Sequence, residues 1–497
     1  MAAQLISAVR NGSAEEVREM ICAGAPLELK NGEGALTAAV LRDDPVIVNM
    51  LLEAGADVNE IDPVTGRTPV CFAAGEGSLS MVSMLLDHGA DPVIRDGMGV
   101  SPLYTAVLND NFEITKALIK KGALINSPRL LLRAVENGSL DVTDLLVKAG
   151  ACTNTKWAFC SLAAAVQRGK TKMVKLMLEH GADPNICVPN GAVPLPIIIA
   201  AETGNAEMAE LLLDHGADPN IMDGDGRYAL TEAVSSKNIP IIKLLLDHGA
   251  DINVRDGSMK WRTPLCIAAG FFEEEVMQML IDAGADVNKE NSAGITPLHY
   301  ACRSGYPGNI HILLKAGANA NIADIYGNTV LADAIGKYGG EELYDFTNTY
   351  DMAVAPEEII SDDPVLALIR AGADINAKSS RQITPLMQSV LHNRRIYLKI
   401  LIALGADIEA TGINKRTALH YAASGLNITE MKILLKAGAD IDARDIEGLT
   451  PLDILRNKFP EEYNRHAEKL MALDSKRRRL GLEDSAQTDI TGFEFDI

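Results

Sequence analysis

Seven cysteines, nine histidines and a run of glutamates are the side chains best suited to chemistry in this 497-residue sequence. Thiolates with imidazoles would hold zinc, an imidazole beside a hydroxyl or thiol would drive nucleophilic catalysis, and paired carboxylates would do acid–base work. The spacing supports none of these. Cys22, Cys71, Cys152, Cys160, Cys187, Cys266 and Cys302 are odd in number and contain no C-x-x-C pair. They read as reduced thiols rather than a disulfide framework or a zinc site. His88, His180, His215 and His248 each directly precede a glycine, while His311, His392 and His466 have no companion pattern. Glu273-Glu274-Glu275 opens an expected helix, where acids suit the positive end of the dipole. The phosphate loop G-x-x-x-x-G-K-[ST], the zinc helix H-E-x-x-H and the nucleophile elbow G-x-S-x-G are all absent from the sequence. No catalytic residue, metal or cofactor is therefore expected.

The glycines beside those histidines reveal what positions every side chain. Gly-Ala pairs recur at Gly24, Gly55, Gly89, Gly122, Gly150, Gly181, Gly216, Gly249, Gly284, Gly317, Gly372, Gly405 and Gly438, thirteen periodic copies spaced near 33 residues. A second marker is Thr-Pro or Ser-Pro, at Thr68, Ser101, Thr263, Thr296, Thr384 and Thr450; the first five stand 21 residues before a Gly-Ala glycine. Thr or Ser is a good N-cap, and proline is tolerated at the first helical position. Apolar residues at i, i+3 and i+4, as in Met208, Leu211 and Leu212, give the second helix of each block. Glycine in the left-handed conformation closes that helix, and the preceding histidine sits at its negative end. Ser13 to Glu16 carries a capping box of its own. The connection to the next Thr, usually 12 residues long, holds Asp-Val-Asn or Asp-Ile-Asn and then a loop such as Asp324-Ile325-Tyr326-Gly327. Two extended pieces around a turn read as a β-hairpin finger.

The unit resembles the ankyrin repeat. The resemblance rests on Gly294-Ile295-Thr296-Pro297-Leu298-His299-Tyr300-Ala301, on Ile312-Leu313-Leu314-Lys315-Ala316-Gly317-Ala318, and on Thr417-Ala418-Leu419-His420-Tyr421-Ala422. It covers residues 1–473, or some fourteen repeats, and implies an all-α solenoid of helix-turn-helix repeats with β-hairpin fingers. It also implies that His299 and His420 bond back to their helix starts, and that recognition uses the concave face of finger tips and first helices. Asn59, Asn253, Asn288 and Asn376 resemble sites of asparagine hydroxylation in ankyrin proteins, so modification as a substrate is one alternative.

Composition narrows the partners. Hydrophobic residues make up 47% and aromatics only 4%, so the core is aliphatic and small-residue. The net charge is -21, with 46 Lys+Arg against 67 Asp+Glu, which argues against direct nucleic-acid binding and favours a protein partner with a basic patch. The longest apolar stretch, 193–201, is too short to cross a membrane. The N-terminus reads as a first helix through Leu5, Ile6 and Val9 rather than as a secretory signal. A monomer in the cytoplasm or nucleus is the expectation.

Departures from the repeat mark the display. The fifth finger is truncated, and two fingers, 188–194 and 256–262, are two residues longer than usual. The second long finger carries Met259, Lys260 and Trp261; with Met98 and Tyr326 these are the candidate partner-binding residues, and Trp261 leads because tryptophan beside Lys and Arg is a hot-spot composition. An insertion at 337–364 within repeat eleven has eight acids, one lysine and a net charge of -7, with Tyr344, Phe346 and Tyr350 as a candidate interaction loop. The 474–497 tail reads as disordered and acidic, with a basic run at 476–479 that could serve nuclear import and a closing Phe493-Glu494-Phe495-Asp496-Ile497. The expected function is a non-enzymatic interaction scaffold. The alternatives are a targeting subunit that recruits a ubiquitin ligase or kinase through the insertion or tail, and an enzyme or effector with catalysis grafted on the insertion, a segment lacking His and Cys.

Overall fold

The computed structural model describes residues 2–28, 34–154, 161–186, 194–257, 261–271, 273–338 and 363–480. The chain forms two compact units, Met1–Asp225 and Gly226–Ile497. Among the described residues each unit holds seven helix pairs, an inner helix of 6–10 residues followed by a second one. Helices this short are unstable alone, so stacking must supply their stability. In the first unit, Pro196–Thr203 shows how: six of its eight residues are buried, Ile197, Ile198 and Ile199 among them. In the second unit Pro264–Ala269 buries all six. The near absence of aromatics fits cores this thin, built from Leu, Ile, Val and Ala.

Local signals set the helix limits. Ser101 and Thr263 begin their helices through hydroxyls that accept from Tyr104 N (3.2 Å) and Cys266 N (3.2 Å). The Ser13 capping box forms in both directions. The thirteen periodic Gly-Ala glycines that close second helices have φ between 75° and 114°, which only glycine adopts without strain. Gly89 N then donates to Leu86 O and Ala90 N to Leu85 O, which satisfies carbonyls at the helix end. The four histidines before such glycines place Nδ1 2.8–2.9 Å from the carbonyl four residues back.

Asparagines at the finger bases register one repeat on the next. Asn185 accepts from Asp218 N through Oδ1 (2.8 Å) and donates through Nδ2 to Gly216 O (2.8 Å). Asn59, Asn253, Asn288 and Asn376 accept in the same way from residues 91, 286, 319 and 407, at 2.8–2.9 Å. Asn321 reaches across the insertion to Gly372 O and Asp374 N, both at 2.8 Å, so register is kept there without the inserted residues. Asn185→Ala removes two bonds at once and is expected to cost about 1–2 kcal/mol. A lower urea midpoint at unchanged m would show it, and an unchanged midpoint would mean that water replaces the staple.

Two sequence expectations change. The fingers follow a hairpin path, but among the described residues the strand-type pairing is one isolated bridge, Ala323–Thr329. With three to five residues between its ends, a finger has room for one closing bond, such as Asp96 N to Val100 O (2.9 Å), and no ladder. The tail boundary at 474 also moves. Helix Pro460–Leu480 runs through the basic run because Asp474 is buried and Arg478 bonds both Asp474 (2.7 Å) and Asp442 (3.0 Å) of the last finger. Residues 481–497 lie outside the described part.

Candidate functional site at the finger tips

A buried carboxylate builds several of the described tips. Asp96 Oδ1 accepts from Met98 N and Val100 N, both at 2.9 Å, while Oδ2 faces Arg67 Nε at 3.3 Å. Asp324 repeats the design with Tyr326 N and Asn328 N (both 2.9 Å), Asn328 Nδ2 (3.1 Å) and Arg303 Nη2 (2.9 Å). Asp445 does so with Glu447 N, Leu449 N and Arg416 Nε. Burial alone would raise these carboxyls, but the amides and guanidinium outweigh it and hold all three below the usual carboxylate value. They stay ionised near neutral pH, and the turn stays closed. The turn sends the residue two places beyond the acid outward, which aims Met98 and Tyr326 at solvent.

Adjacent tips are tied by backbone. Gly97 N donates to Thr65 O (3.1 Å), Ile325 N to Ala293 O (3.0 Å), Ser380 N to Tyr326 O (2.9 Å) and Ile446 N to Asn414 O (2.8 Å). Gly66, at φ 69°, makes the first of these contacts feasible: a Cβ there would stand 2.4 Å from Gly97 N. The tips are thus fixed before any partner arrives, which lowers the ordering cost of binding.

Of the residues singled out from sequence, Met98 is 86% exposed, Tyr326 62% and Trp261 50%. Met98 belongs to the first unit, and Trp261 and Tyr326 to the second, two fingers apart with the 291–295 finger between them. Met259, Lys260, Tyr344, Phe346 and Tyr350 lie outside the described residues. Sequence reasoning missed Val64, which is 90% exposed on the tip next to Met98. Its signal was present: Val64 is two residues after Asp62, whose carboxylate accepts from Val64 N (3.2 Å) and Thr65 N (2.7 Å). Ile325 and Ile446, one place after their acids, were missed for the same reason and are also exposed.

The buried histidines and cysteines are taken up by the structure, while Cys22 and Cys152 are exposed. His299 and His420 are fully buried, each with Nδ1 facing its N-cap threonine and Nε2 facing a carbonyl 29 residues on. Burial pushes the Cys71, Cys266 and Cys302 thiols up, Cys266 to about 11. Cys160 and Cys187 fall outside the described residues. Among the described residues no group of three or more His, Cys, Asp or Glu side chains could hold a metal ion, and no helix is long and apolar enough to cross a membrane.

Stacked helix pairs with stapled fingers define a class, the helical repeat proteins. The family described as Ankyrin repeats (3 copies) matches residues 47–129, 162–256, 258–342 and 355–445, most of the sequence. The chain belongs to the ankyrin-repeat family. Among curated proteins it is similar to the B-cell lymphoma 3 protein homolog of Mus musculus, 37% identical over 99 residues, which are 20% of this chain and 22% of that protein. It is also similar to the 2-5A-dependent ribonuclease of Mus musculus, 38% identical over 84 residues, 17% of this chain and 11% of that protein. A third relative is the Ankyrin repeat protein nuc-2 of Neurospora crassa, 32% identical over 114 residues, 22% of this chain and 11% of that protein. Each match spans about a fifth or less of this chain and under a quarter of the relative. The shared part is repeats, so a relative named as an enzyme carries nothing about catalysis to this chain.

Proposed function

We propose that this protein is a non-enzymatic interaction scaffold that recognises a protein or peptide through its finger tips and the adjoining first helices. One observation supports this most directly. Large apolar side chains stand in solvent at tips whose backbone is already locked, Val64 and Met98 on neighbouring fingers of the first unit and Tyr326 in the second, where Trp261 is also half exposed. Rigid exposed apolar anchors above buried, satisfied polar groups are the composition of a binding surface. The net charge of -21 favours a partner with a basic patch, bound more weakly as salt rises.

The test is affinity capture from native extract at low and high salt, with the protein and a Met98→Asp, Tyr326→Ala variant side by side. A partner enriched by the protein and lost with the variant, at equal far-ultraviolet dichroism, is the expected result. A partner kept by the variant but lost on removing 339–362 or 481–497 would overturn the finger site and move recognition to those segments, as a targeting subunit requires.

A further inference from the structure

The first unit has a second surface along its helix-to-helix turns, and it is apolar over one short stretch. Leu41, Val46, Leu79, Leu108 and Leu140 are 38–55% exposed, although each flanks a turn where the chain has full freedom to place a polar residue. Aligned positions further along, Gln167, Thr171, Glu202 and Ala206, carry no large apolar side chain. Within the first unit the stripe is therefore confined to four successive turns; in the second unit Leu391 and Ile396, at positions aligned with Leu41 and Val46, are also exposed.

Those turns are physically joined. Ser78 Oγ donates to Asp43 Oδ1 (2.7 Å), Asn109 Nδ2 to Gly75 O (3.0 Å), and Asn137 Nδ2 to Val107 O (2.8 Å) and Leu108 O (3.2 Å). The leucines thus lie along one continuous edge. Carboxylates stand between them: Asp43, Glu76, Asp110 and Asp141 are all exposed. The basic residue within the first turn, Arg42, is turned back to the carbonyls of Val9 and Gly12.

We infer that this edge docks a basic amphipathic helix of a partner protein. Apolar side chains flanked by carboxylates are complementary to a helix with a leucine-type stripe bordered by lysine or arginine. The pitch also fits. Packed helices repeat at about 10 Å, and seven residues of α-helix rise about 10.5 Å, so one heptad meets each turn. Three such steps span about 30 Å, the length of a helix of about 20 residues. An anionic lipid surface is the wrong occupant, because the carboxylates would repel it.

The experiment measures fluorescence anisotropy of the full chain with a labelled synthetic helix of about 20 residues, leucines at heptad spacing and lysines beside them. A scrambled peptide of the same composition and vesicles containing phosphatidylserine are the other probes. The ordered peptide is expected to bind, to weaken with salt, and to lose at least about tenfold in affinity with Leu79→Glu, Leu108→Glu, a loss of about 1.4 kcal/mol. Both leucines are exposed, so dichroism and the urea midpoint of that variant should match the parent. Met98→Asp, Tyr326→Ala should bind the peptide normally, which separates this edge from the finger site. Equal binding of the scrambled peptide, undiminished binding by the leucine variant, no peptide binding at all, or capture by vesicles instead would each overturn the inference.

Discussion

Replacing Asp324 by alanine is expected to destabilise the second unit by about 2–4 kcal/mol, chiefly the cost of leaving the amides of Tyr326 and Asn328 without their acceptor. The carboxylate is 6% exposed and takes four donors: Tyr326 N, Asn328 N, Asn328 Nδ2 and Arg303. Without it, two amides of the turn lose their acceptor, while Arg303 keeps its ion pair with Asp333 (2.6 Å). The Tyr326 tip should open, so faster amide exchange at Tyr326 and Asn328 should accompany the lower urea midpoint. Asp324→Asn is the informative companion. The preceding finger already has asparagine at this place, where Asn291 Oδ1 accepts from Ala293 N (2.8 Å) and Ile295 N (2.9 Å). An asparagine variant should therefore keep the turn and lose chiefly the Arg303 pairing, at under half the alanine cost. If alanine and asparagine cost the same, the turn does not depend on the acceptor and this account of the tip is wrong.

Acid should destabilise the same unit through His299. Burial pushes this imidazole down to about 4, even though Nε2 faces Asn328 O at 3.2 Å. Its Nδ1 takes the amide of Thr296 (3.2 Å), so a proton there would meet a donor. The unfolded chain binds that proton near pH 6.5, while the folded chain does not until about pH 4. Stability contributed by the neutral ring is complete above pH 6.5 and is lost as pH falls toward 4, up to about 3 kcal/mol. Asp333 works the other way over part of that range, since burial pushes its carboxyl up to about 6 against the pull of Arg303. The measurement is therefore a difference: urea stability of the protein minus that of His299→Gln, at pH 7 and at pH 4.5. The difference should shrink on acidification. A pH-independent difference would mean that the ring is not held neutral.

The parts of this fold legible in the sequence were those that one residue type alone can supply. A left-handed helix end needs glycine, so thirteen glycines gave thirteen ends. A helix start favours Thr-Pro, so Thr263 and Thr384 marked theirs. What stayed hidden depended on distant partners. Asp474 looked like the start of a polar tail because the residues that Arg478 grips, Asp440 and Asp442, lie more than thirty positions earlier. At the candidate site, Met98, Tyr326 and Trp261 were legible as large side chains in polar loops. Val64 was not legible because valine carries no loop signal of its own, and its exposure comes from the Asp62 carboxylate that closes the turn beneath it. The exposed edge leucines carried no signal at all: in a seven-residue helix such as Pro102–Leu108, Leu108 and buried Leu103 are the same letter on nearly adjacent turns.

The asparagine staples have a consequence for how the molecule would handle several partners. Each joins a finger to its immediate successor, so a disturbance at one tip passes onward only link by link and weakens at every joint. Within a unit, these asparagines tie no finger directly to one further along than the next. Such an array has the character of a pegboard rather than a lever, each finger answering first to its own neighbour.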